Sequence, residues 1–317
     1  MERREERLHV VFGTGALGLA VERELARRGE NTRLVNLSGR KDPSWTAEVV
    51  KADAANPEDA KRACSGATVV YHCAQPPYAQ WPEKAPPVMR GIVEGASAAG
   101  AKLIYGDNLY LYGRAPMLLV ETLPHAGVGP NTRTRAELAE MLTTAHEEGR
   151  VRMAIGRGSD FYGPHARTSS MGERVIPNAL KGKAAQVLGD PDLPHTYTFI
   201  DDFGKALVIL GERDEALGEA WHVPSGETRT TREFVRMVFD EADRTPKLST
   251  LPGWFMRAMG VFNPTLRAVG EVLYQAENPW IMDASKFVRQ FGDISTPHDE
   301  AIRRTVAWYR EQVTRSD

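Results

Sequence analysis

A glycine-rich turn between a strand and a helix is the sequence feature that most constrains this fold. Residues 10–18 read Val-Val-Phe-Gly-Thr-Gly-Ala-Leu-Gly, an apolar strand running into G-x-G-x-x-G, and residues 16–29 have the pattern of a helix. In such a turn Gly13 permits the bend, Gly15 lets a pyrophosphate approach the backbone, and Gly18 lets the helix pack on the strand. The N–H groups of the helix N-terminus then face the phosphates. The turn therefore predicts a dinucleotide-binding βαβ unit.

The rest of the first half repeats this alternation of strand and helix. The predicted strands are 8–12, 31–36, 47–52, 67–72, 102–106 and 151–156, and the predicted helices are 16–29, 57–64, 85–100 and 133–149. Parallel neighbours need a crossover between them, and strands that are buried on both faces read as continuous apolar runs. These patterns predict an α/β protein with a Rossmann-type, doubly wound parallel sheet.

The regular alternation of predicted strands and helices ends after Gly163-Pro164. Predicted strands follow at 185–188, 196–200 and 220–223, and predicted helices at 202–213, 230–243, roughly 253–275, and 298–314. We predict a dinucleotide-binding Rossmann domain over 1–164, to which 195–225 return, and a smaller C-terminal α/β substrate-binding domain over 165–194 and 226–317. The apolar stretch from Trp254 to Phe262 is predicted to be the wall of a substrate pocket or part of the core.

The composition limits the classes of partner that this protein is expected to bind. The formal net charge is -2 and basic residues are mixed with acidic ones, which argues against nucleic acid as the main partner. Two cysteines, Cys64 and Cys73, cannot build a disulfide framework or a zinc site, and the histidines lack ligand spacing, so no metal is predicted. No apolar run is long enough to span a membrane and the charged N-terminus is not a signal peptide. We expect a cytoplasmic protein with a small-molecule substrate; a homodimer stays open.

The end of the second strand bears on the choice of cofactor. An NAD-type fold places Asp or Glu there, to accept hydrogen bonds from the adenosine ribose. This chain has Asn36, Ser38, Arg40 and Lys41 instead, which suit a 2′-phosphate that a carboxylate would repel. The segment therefore predicts NADP rather than NAD. The alternative is that the two cations are solvated loop charges.

Further short motifs occur in a fixed order along the chain. They are Asp53-Ala54, Tyr71-His72-Cys73-Ala74, Leu111-Tyr112-Gly113, the segment from Gly156-Arg157 to Phe161-Tyr162-Gly163-Pro164, His195 to Asp202, Asp283 to Lys286, and Thr305 to Tyr309. Together they resemble the extended short-chain dehydrogenase/reductase group, also called the NAD-dependent epimerase/dehydratase family, over nearly the whole chain. The glycine turn is one residue shorter than the usual G-x-x-G-x-x-G of that group.

The resemblance and the turn together imply a set of cofactor-binding residues. They are Gly13, Thr14, Gly15, Ala16, Leu17, Gly18, Asn36, Ser38, Arg40, Asp53, Ala54, Cys73, Ala74, Arg157 and Tyr162. The loop after the fourth strand and the segment beside the nicotinamide are predicted to contribute to the substrate wall, through Gln75, Tyr78, Trp81 and Phe161.

The chain departs from the family at the catalytic residues. The group places a Ser or Thr five residues before the glycine of V-Y-G, and a Y-x-x-x-K on the following helix. Here Asn108 takes the hydroxyl position, Asn131 the Tyr position and Arg135 the Lys position. An Asn cannot exchange a proton near neutral pH and an Arg cannot be deprotonated, although Arg135 could still bind the ribose.

Tyr110 is the leading candidate for the missing acid/base, because dehydratases of the group carry their active-site Glu at that position; Tyr162, Tyr105 and Tyr112 are the other candidates. The alternative is an aromatic at the edge of the core. With Asn108 and Arg135 as orienting groups, the sequence predicts an NADP(H)-dependent oxidoreductase acting on the carbonyl or alcohol of a small, fairly apolar molecule. Three alternatives stay open: hydride transfer with water as the acid, a non-catalytic NADP(H) sensor or scaffold, and a nucleotide-sugar epimerase or dehydratase.

Overall fold

The computed structural model describes residues 7–115 and 118–314. Within these ranges the strands are β1 Leu8–Phe12, β2 Asn31–Asn36, β3 Glu48–Lys51, β4 Ala67–His72, β5 Lys102–Asn108, β6 Leu118–Leu119, β7 Arg152–Gly158, β8 Asp160–Tyr162, β9 Ala185–Leu188, β10 Pro194–His195, β11 Tyr197–Phe199, β12 Ala220–His222, β13 Arg229–Thr230, β14 Leu248–Leu251 and β15 Ile281–Met282. The helices are α1 Ala16–Arg27, α2 Pro57–Cys64, α3 Trp81–Ala99, α4 Pro130–Glu147, α5 Ile176–Leu180, α6 Ile200–Glu212, α7 Thr231–Glu241, α8 Gly253–Gly260, α9 Pro264–Gly270, α10 Tyr274–Glu277, α11 Ser285–Phe291 and α12 His298–Thr314. Short 3₁₀ turns occupy Tyr78–Gln80, Tyr110–Tyr112 and Asp214–Ala216.

A seven-stranded sheet confirms the predicted Rossmann-type fold. Its order is β12-β7-β5-β4-β1-β2-β3, and β1 pairs in parallel with both β2 and β4. The chain therefore moves outward from β1 to β3 and then crosses back to β4. Ligands of doubly wound sheets bind at the carboxyl ends of the strands where the order reverses, and the glycine turn after β1 lies at that reversal.

Apolar side chains explain why the sheet is covered on both faces. The central strands contribute fully buried residues such as Val10 and Val11 of β1 and Ile104 of β5. Leu17 of α1 and Leu207 of α6 both pack against Gly106 of β5. The strands therefore lack the polar alternation of a sheet with one wet face.

Contacts between Cα atoms divide the chain into two compact units. The first unit comprises the described residues through Asp107, together with Arg133–Arg157 and Phe203–Trp221. The second unit comprises Asn108–Thr132, Gly158–Asp202 and the described residues from His222 onward. The predicted partition into cofactor and substrate domains concerns ligand binding, and it stays a prediction.

The second unit is built from short strand pairs and helices around one apolar core. β8 pairs with β11, β9 with β14, and β6 with β15, all in parallel, while β10 and β13 are antiparallel. Its buried cluster includes Tyr162, Val187, Tyr197, Phe199, Phe234, Val238, Phe239, Ile302 and Val306. The mixture of small sheets and helices agrees with the change of rhythm in the sequence.

The predicted helix over 253–275 is broken into three. Pro264 has no N–H to donate within a continuing helix, and the Asn263 side chain accepts from the N–H groups of Thr265 and Leu266, so a new helix begins there. The expectation that this stretch is core is wrong for its aromatic ends, because Trp254 is 70% exposed and Phe262 is 90% exposed. The alternative, that the stretch is the wall of a substrate pocket, stays a prediction.

Two helices begin earlier than predicted, each with a proline in its first turn. α3 begins at Trp81 rather than at residue 85, with Pro82 in its first turn, and α4 begins at Pro130 rather than at 133. Proline is well suited to the first turn, where its missing N–H has no intrahelical partner to lose. Among the described residues, every helix is too short or too polar to cross a membrane.

Candidate cofactor and proton-transfer site

The glycine turn forms a tight backbone cradle in the first unit. Gly13 has a φ of +100°, and a Cβ built on it would lie 2.8 Å from the backbone of Ala74. A Cβ on Gly18 would lie 1.9 Å from the Gly13 carbonyl oxygen. Both positions therefore require glycine, and Thr14, Ala16 and Leu17 connect them at the start of α1.

The start of α1 suits a phosphate. Gly15 is its N-cap, and no side chain of the described residues caps the helix there. The first N–H groups of a helix have no intrahelical acceptor, and the helix dipole favours negative charge at this end. Cys73 follows β4 and donates its backbone N–H to the Phe12 carbonyl, which holds the end of β4 beside the turn. These residues fit a pyrophosphate that lies over Gly15 at the N-terminus of α1, as the sequence predicts.

The loop after β2 is organised by a neutral amide. The Asn36 Oδ1 accepts from the Ser38 N–H at 3.1 Å, the Ser38 hydroxyl at 3.1 Å and the Gly39 N–H at 2.6 Å, while its Nδ2 donates to the Arg40 carbonyl. The Arg40 side chain is exposed and makes no hydrogen bond or ion pair with the described residues. The segment from Asn36 to Arg40 thus presents a cation and a hydroxyl without a carboxylate, and the nearest acid along the loop, Asp42, accepts from the Ser44 N–H and hydroxyl.

Two other predicted cofactor positions lie after β3. The Asp53 side chain is exposed and accepts from the Ala55 N–H at 2.9 Å, in a local Asx turn. Ala54 is buried, and a Cβ on Gly91 of α3 would lie 2.0 Å from its carbonyl oxygen. Contact between this turn and an adenine stays a prediction.

A buried ion pair holds Arg135 in the first unit. Its guanidinium donates to Asp107 Oδ1 at 2.5 Å and stacks at 4.1 Å over the ring of Trp81. Arg157 faces the other Asp107 oxygen at 3.6 Å, and the Asp107 side chain is fully buried. Burial alone would lower the pKa of the Arg135 guanidinium, but the Asp107 carboxylate outweighs that effect and raises it. Trp81, predicted as substrate wall, is thus covered by this guanidinium.

Tyr110 lies in a polar cluster of the second unit. Its hydroxyl donates to Asp160 Oδ1 at 2.6 Å and accepts from the Gln275 side-chain amide at 3.3 Å. The other oxygen of Asp160 lies 3.5 Å from His195 Nε2. Burial alone would raise the pKa of the Asp160 carboxyl, but His195 and the Tyr110 hydroxyl outweigh it, so that pKa is lowered and the carboxylate is ionised at neutral pH.

The two Asn residues at catalytic positions hold backbone in place. The Asn131 N–H donates to Glu271 Oε2 at 2.9 Å, and its side-chain amide lies 3.5 Å from Glu271 Oε1. Glu271 therefore supplies the negative charge that a helix N-terminus favours at the start of α4. The Asn108 side chain accepts from the Tyr110 N–H at 3.0 Å. Neither Asn offers a group that could exchange a proton.

Tyr162 is committed to the core of the second unit. Its hydroxyl lies 2.8 Å from His298 Nδ1, and His298 Nε2 lies 2.8 Å from the Glu227 carbonyl. Burial raises the pKa of Tyr162 well above its ordinary value, so this phenol stays protonated. Its neighbour Phe161 is half-buried on β8. The roles of both residues toward a ligand stay predictions.

The remaining predicted substrate residues lie in the first unit, on the loop after β4. Gln75 is exposed, and the Tyr78 hydroxyl is buried. Tyr78 begins a 3₁₀ turn that runs directly into α3. Their contact with a substrate stays a prediction.

Sequence reasoning missed the residues that surround Tyr110. Asp160 lies 50 residues away and Gln275 lies 165 residues away in sequence, so no local spacing connects them. His195 has no ligand or triad spacing, which favours a structural histidine. The available signal was that Asp160 and His195 both stand in segments that resemble the family. Among the described residues, no cluster of His, Cys, Asp and Glu could hold a metal ion.

Comparison with protein families and curated proteins places these elements in context. The model of the family described as "NAD dependent epimerase/dehydratase family" matches residues 10–223, about two-thirds of the chain. The dTDP-glucose 4,6-dehydratase of Neisseria gonorrhoeae is 24% identical over 219 residues, covering 67% of this chain and 58% of that protein. The dTDP-glucose 4,6-dehydratase of Escherichia coli is 23% identical over 199 residues, covering 61% and 50%. The chain thus matches little more than half of these relatives' length.

Solved structures share the fold along almost the whole chain. The UDP-glucose 4-epimerase of Thermus thermophilus, in complex with NAD, has a TM-score of 0.76 at 18% identity and covers 96% of this chain and 99% of that one. A double mutant of the dTDP-glucose 4,6-dehydratase of Streptomyces venezuelae, with NAD bound, has a TM-score of 0.78 at 17% identity and covers 97% and 98%. At such identities the likeness shows the fold.

Proposed function

The chain belongs to the NAD-dependent epimerase/dehydratase family, and we propose that it is an NADP(H)-dependent oxidoreductase. Its substrate is the carbonyl or alcohol of a small, fairly apolar molecule. The observation that carries the proposal is the backbone cradle of Gly13 and Gly18 at the reversal of strand order, where a side chain on either glycine would clash with backbone. A bound nicotinamide would supply or accept the hydride, and the protein supplies position and proton.

The loop after β2 supports NADP(H) over NAD(H). Asn36 fixes the backbone of this loop without a negative charge, and Arg40 is exposed with no side-chain partner among the described residues. A 2′-phosphate would gain charge-assisted hydrogen bonds there, whereas a carboxylate would repel it. The NAD bound in the solved relatives is the competing case, and binding measurements decide between them.

Tyr110 is the proposed proton donor and acceptor at the substrate oxygen, with Asn108 and Arg135 as orienting groups. Its phenol is half-buried, and its hydroxyl already takes part in two hydrogen bonds.

A second candidate function is that of a non-catalytic NADP(H) sensor or scaffold. It is favoured by the contacts of the two residues at the missing Y-x-x-x-K positions. Arg135 is held by Asp107, and Asn131 is held by Glu271. Residues engaged in this way contribute to the structure of the protein whether or not turnover occurs.

Cofactor binding tests the first part of the proposal. NADPH fluorescence titration should give tighter binding than NADH, and Arg40→Glu should weaken NADPH binding about 10- to 100-fold through loss of a charged hydrogen bond. Arg90→Glu, a charge reversal of another exposed arginine in the first unit, is the control and should leave affinity unchanged. Equal affinity for both cofactors, insensitive to Arg40→Glu, would contradict the assignment.

Turnover separates the two candidate functions. The protein with bound NADPH should oxidise it in the presence of a ketone, aldehyde or quinone from a screen of small apolar carbonyl compounds, followed at the nicotinamide absorbance. Tight NADPH binding with no consumption across the screen would favour the sensor. Loss of water from a nucleotide sugar without net consumption of the cofactor, detected by analysis of the sugar product, would favour the chemistry named for the curated relatives.

A further inference from the structure

We propose that Tyr110, Asp160 and His195 form a proton relay that connects the substrate oxygen to an imidazole in the second unit. The inference rests on the proposed oxidoreductase function and names the groups that handle its proton. Asp160 and His195 are positioning and proton-carrying residues behind Tyr110, which alone of the three is proposed to touch the substrate.

The two oxygens of one carboxylate link the outer members of the relay. Asp160 Oδ1 accepts from the Tyr110 hydroxyl at 2.6 Å, and Asp160 Oδ2 lies 3.5 Å from His195 Nε2. The Asp160 side chain is 8% exposed and that of His195 is 7% exposed. A proton can pass between the phenol and the carboxylate along the Tyr110–Asp160 hydrogen bond. The 3.5 Å between Asp160 and His195 Nε2 has to shorten before the imidazole can exchange a proton, and this nitrogen has no hydrogen-bond partner among the described residues. Catalytic hydrogen bonds are often long in a protein without its ligands and tighten in the complex.

The surroundings hold these groups in place. The His195 ring stacks on the Tyr197 ring with centroids 4.6 Å apart, and the Tyr197 hydroxyl is bonded to Thr231. The Gln275 amide donates to the Tyr110 oxygen. That oxygen is therefore a hydrogen-bond donor toward Asp160 and an acceptor on its other side.

The charged groups that face the relay are few among the described residues. Arg229 stands opposite His195 in the β10–β13 pair, and its guanidinium is bonded to Glu227. Burial raises the pKa of the Tyr197 phenol, and the charge of Asp160 raises it further.

The proton movements balance in both directions. During reduction, the carbonyl carbon gains a hydride and its oxygen takes the phenolic proton of Tyr110. Tyr110 then regains a proton through Asp160 from the His195 imidazolium, which becomes neutral imidazole and is later reprotonated by solvent. During oxidation the alcohol proton passes to Tyr110 while the Tyr110 proton moves through Asp160 to neutral His195.

Two other buried tyrosine–histidine pairs show what a merely structural arrangement looks like. The Tyr112 hydroxyl lies 2.8 Å from His222 Nε2, and His222 Nδ1 lies 2.9 Å from the Asp283 carbonyl. The pair of Tyr162 and His298 ends on a backbone carbonyl in the same way. A backbone carbonyl accepts a hydrogen bond but cannot pass a proton on, so a proton cannot travel beyond the histidine along these contacts. A carboxylate, by contrast, can accept a proton and release it.

The first test reads the relay in the resting protein by proton NMR. The short Tyr110–Asp160 hydrogen bond should give a downfield hydroxyl resonance that is lost in Tyr110→Phe, moved upfield in Asp160→Asn because a neutral amide oxygen accepts more weakly than a carboxylate, and shifted in His195→Gln. Tyr309→Phe is the control, because the buried Tyr309 hydroxyl has no hydrogen-bond partner among the described residues. A resonance that does not move in Asp160→Asn, or does not respond to His195→Gln, overturns the relay whatever the activity.

The second test uses turnover with NADPH and the best carbonyl substrate. His195→Gln should lower kcat about 100-fold, the lower end of general acid–base effects, with KM and NADPH affinity unchanged. Added imidazole should restore turnover to His195→Ala. His146→Gln, a half-buried histidine of the first unit, is the control and should behave as wild type.

The outcomes separate the relay from the function on which it rests. A wild-type kcat in His195→Gln, or no rescue of His195→Ala by imidazole, overturns the relay and leaves the oxidoreductase function and the role of Tyr110 unaffected. NADPH binding without turnover of any carbonyl by the wild type overturns the proposed function, and the catalytic role of the relay falls with it.

Discussion

Two buried carboxylates, one in each unit, are held by partners of different chemistry. Asp107 in the first unit lies between Arg135 and Arg157, whose charges are permanent. Asp160 in the second unit lies between a phenol and an imidazole, which gain and lose protons. A carboxylate between arginines fixes structure and charge, while one between Tyr and His can move a proton. Burial alone therefore does not distinguish a structural from a functional acid.

Asp107→Asn should give the largest effect. It leaves two arginines of the first unit without their shared counter-charge, which costs about 3–5 kcal/mol of unfolding free energy. Urea unfolding measures the loss. Glu148→Gln, which breaks an exposed pair with Arg150, should change stability by less than about 0.5 kcal/mol. A loss near that of the control would show that Asp107 is not the main counter-charge.

Asp160→Asn should destabilise less, by about 1–3 kcal/mol, because the amide oxygen can still accept from Tyr110 and no guanidinium is stranded. The same urea measurement applies. A loss equal to or larger than that of Asp107→Asn would contradict the contrast between the two carboxylates, since Asp160 would then be a structural acid like Asp107.

His72 is a buried imidazole whose pKa is lowered by burial, with no carboxylate contributing to the shift. Burial lowers the pKa of His72 from 6.5 to about 3. Between these values the unfolded chain binds more protons than the folded one, so stability falls as pH drops, by about 1.4 kcal/mol per pH unit. At pH 5 the deficit from this residue is about 2 kcal/mol.

His72→Phe should remove that part of the acid sensitivity, because phenylalanine takes up no proton. The measurement is urea unfolding of wild type and variant at pH 7, 6 and 5. A residual slope of the same sign is expected from His9 and His298, for each of which burial is the main cause of a lowered pKa. Parallel pH curves for wild type and variant would contradict the assignment.

Tyr110→Phe should have the smallest effect on stability, about 0.5–1.5 kcal/mol, which is the net worth of a typical hydrogen bond. Its effect on turnover should be far greater than this loss. Thermal unfolding beside the NADPH assay makes the comparison. A variant that keeps full turnover would show that Tyr110 is a core-edge aromatic rather than an acid.

The fold was predictable because its determinants are local. The strand after residue 8, the glycine turn and the helix from residue 16 follow from apolar periodicity and from the needs of Gly13 and Gly18. Helix boundaries were less predictable where two signals compete. Around Pro264 the apolar pattern continues, but the proline and the Asn263 cap end one helix and start another.

The candidate site was likewise predictable only where its residues are adjacent in sequence. The cradle after β1 and the absence of an acid at Asn36 can be read from adjacent residues. The connection of Tyr110 to Asp160 and His195 depends on how β8 and β10 are placed by long-range packing, which no spacing encodes. The engagement of Arg135 with Asp107 was equally hidden, because the pair spans 28 residues.

The loop built on Asn36 also bears on how such a protein could change over evolutionary time. Aspartate has the same shape as asparagine and could accept the same three hydrogen bonds from Ser38 and Gly39, but its second oxygen would face the Arg40 carbonyl oxygen, to which the amide now donates. Codons for the two amino acids differ by one base. A single point mutation could therefore introduce the acid typical of NAD-binding folds, but the backbone at Arg40 would have to turn away from the new carboxylate, so that cofactor choice and loop shape change together.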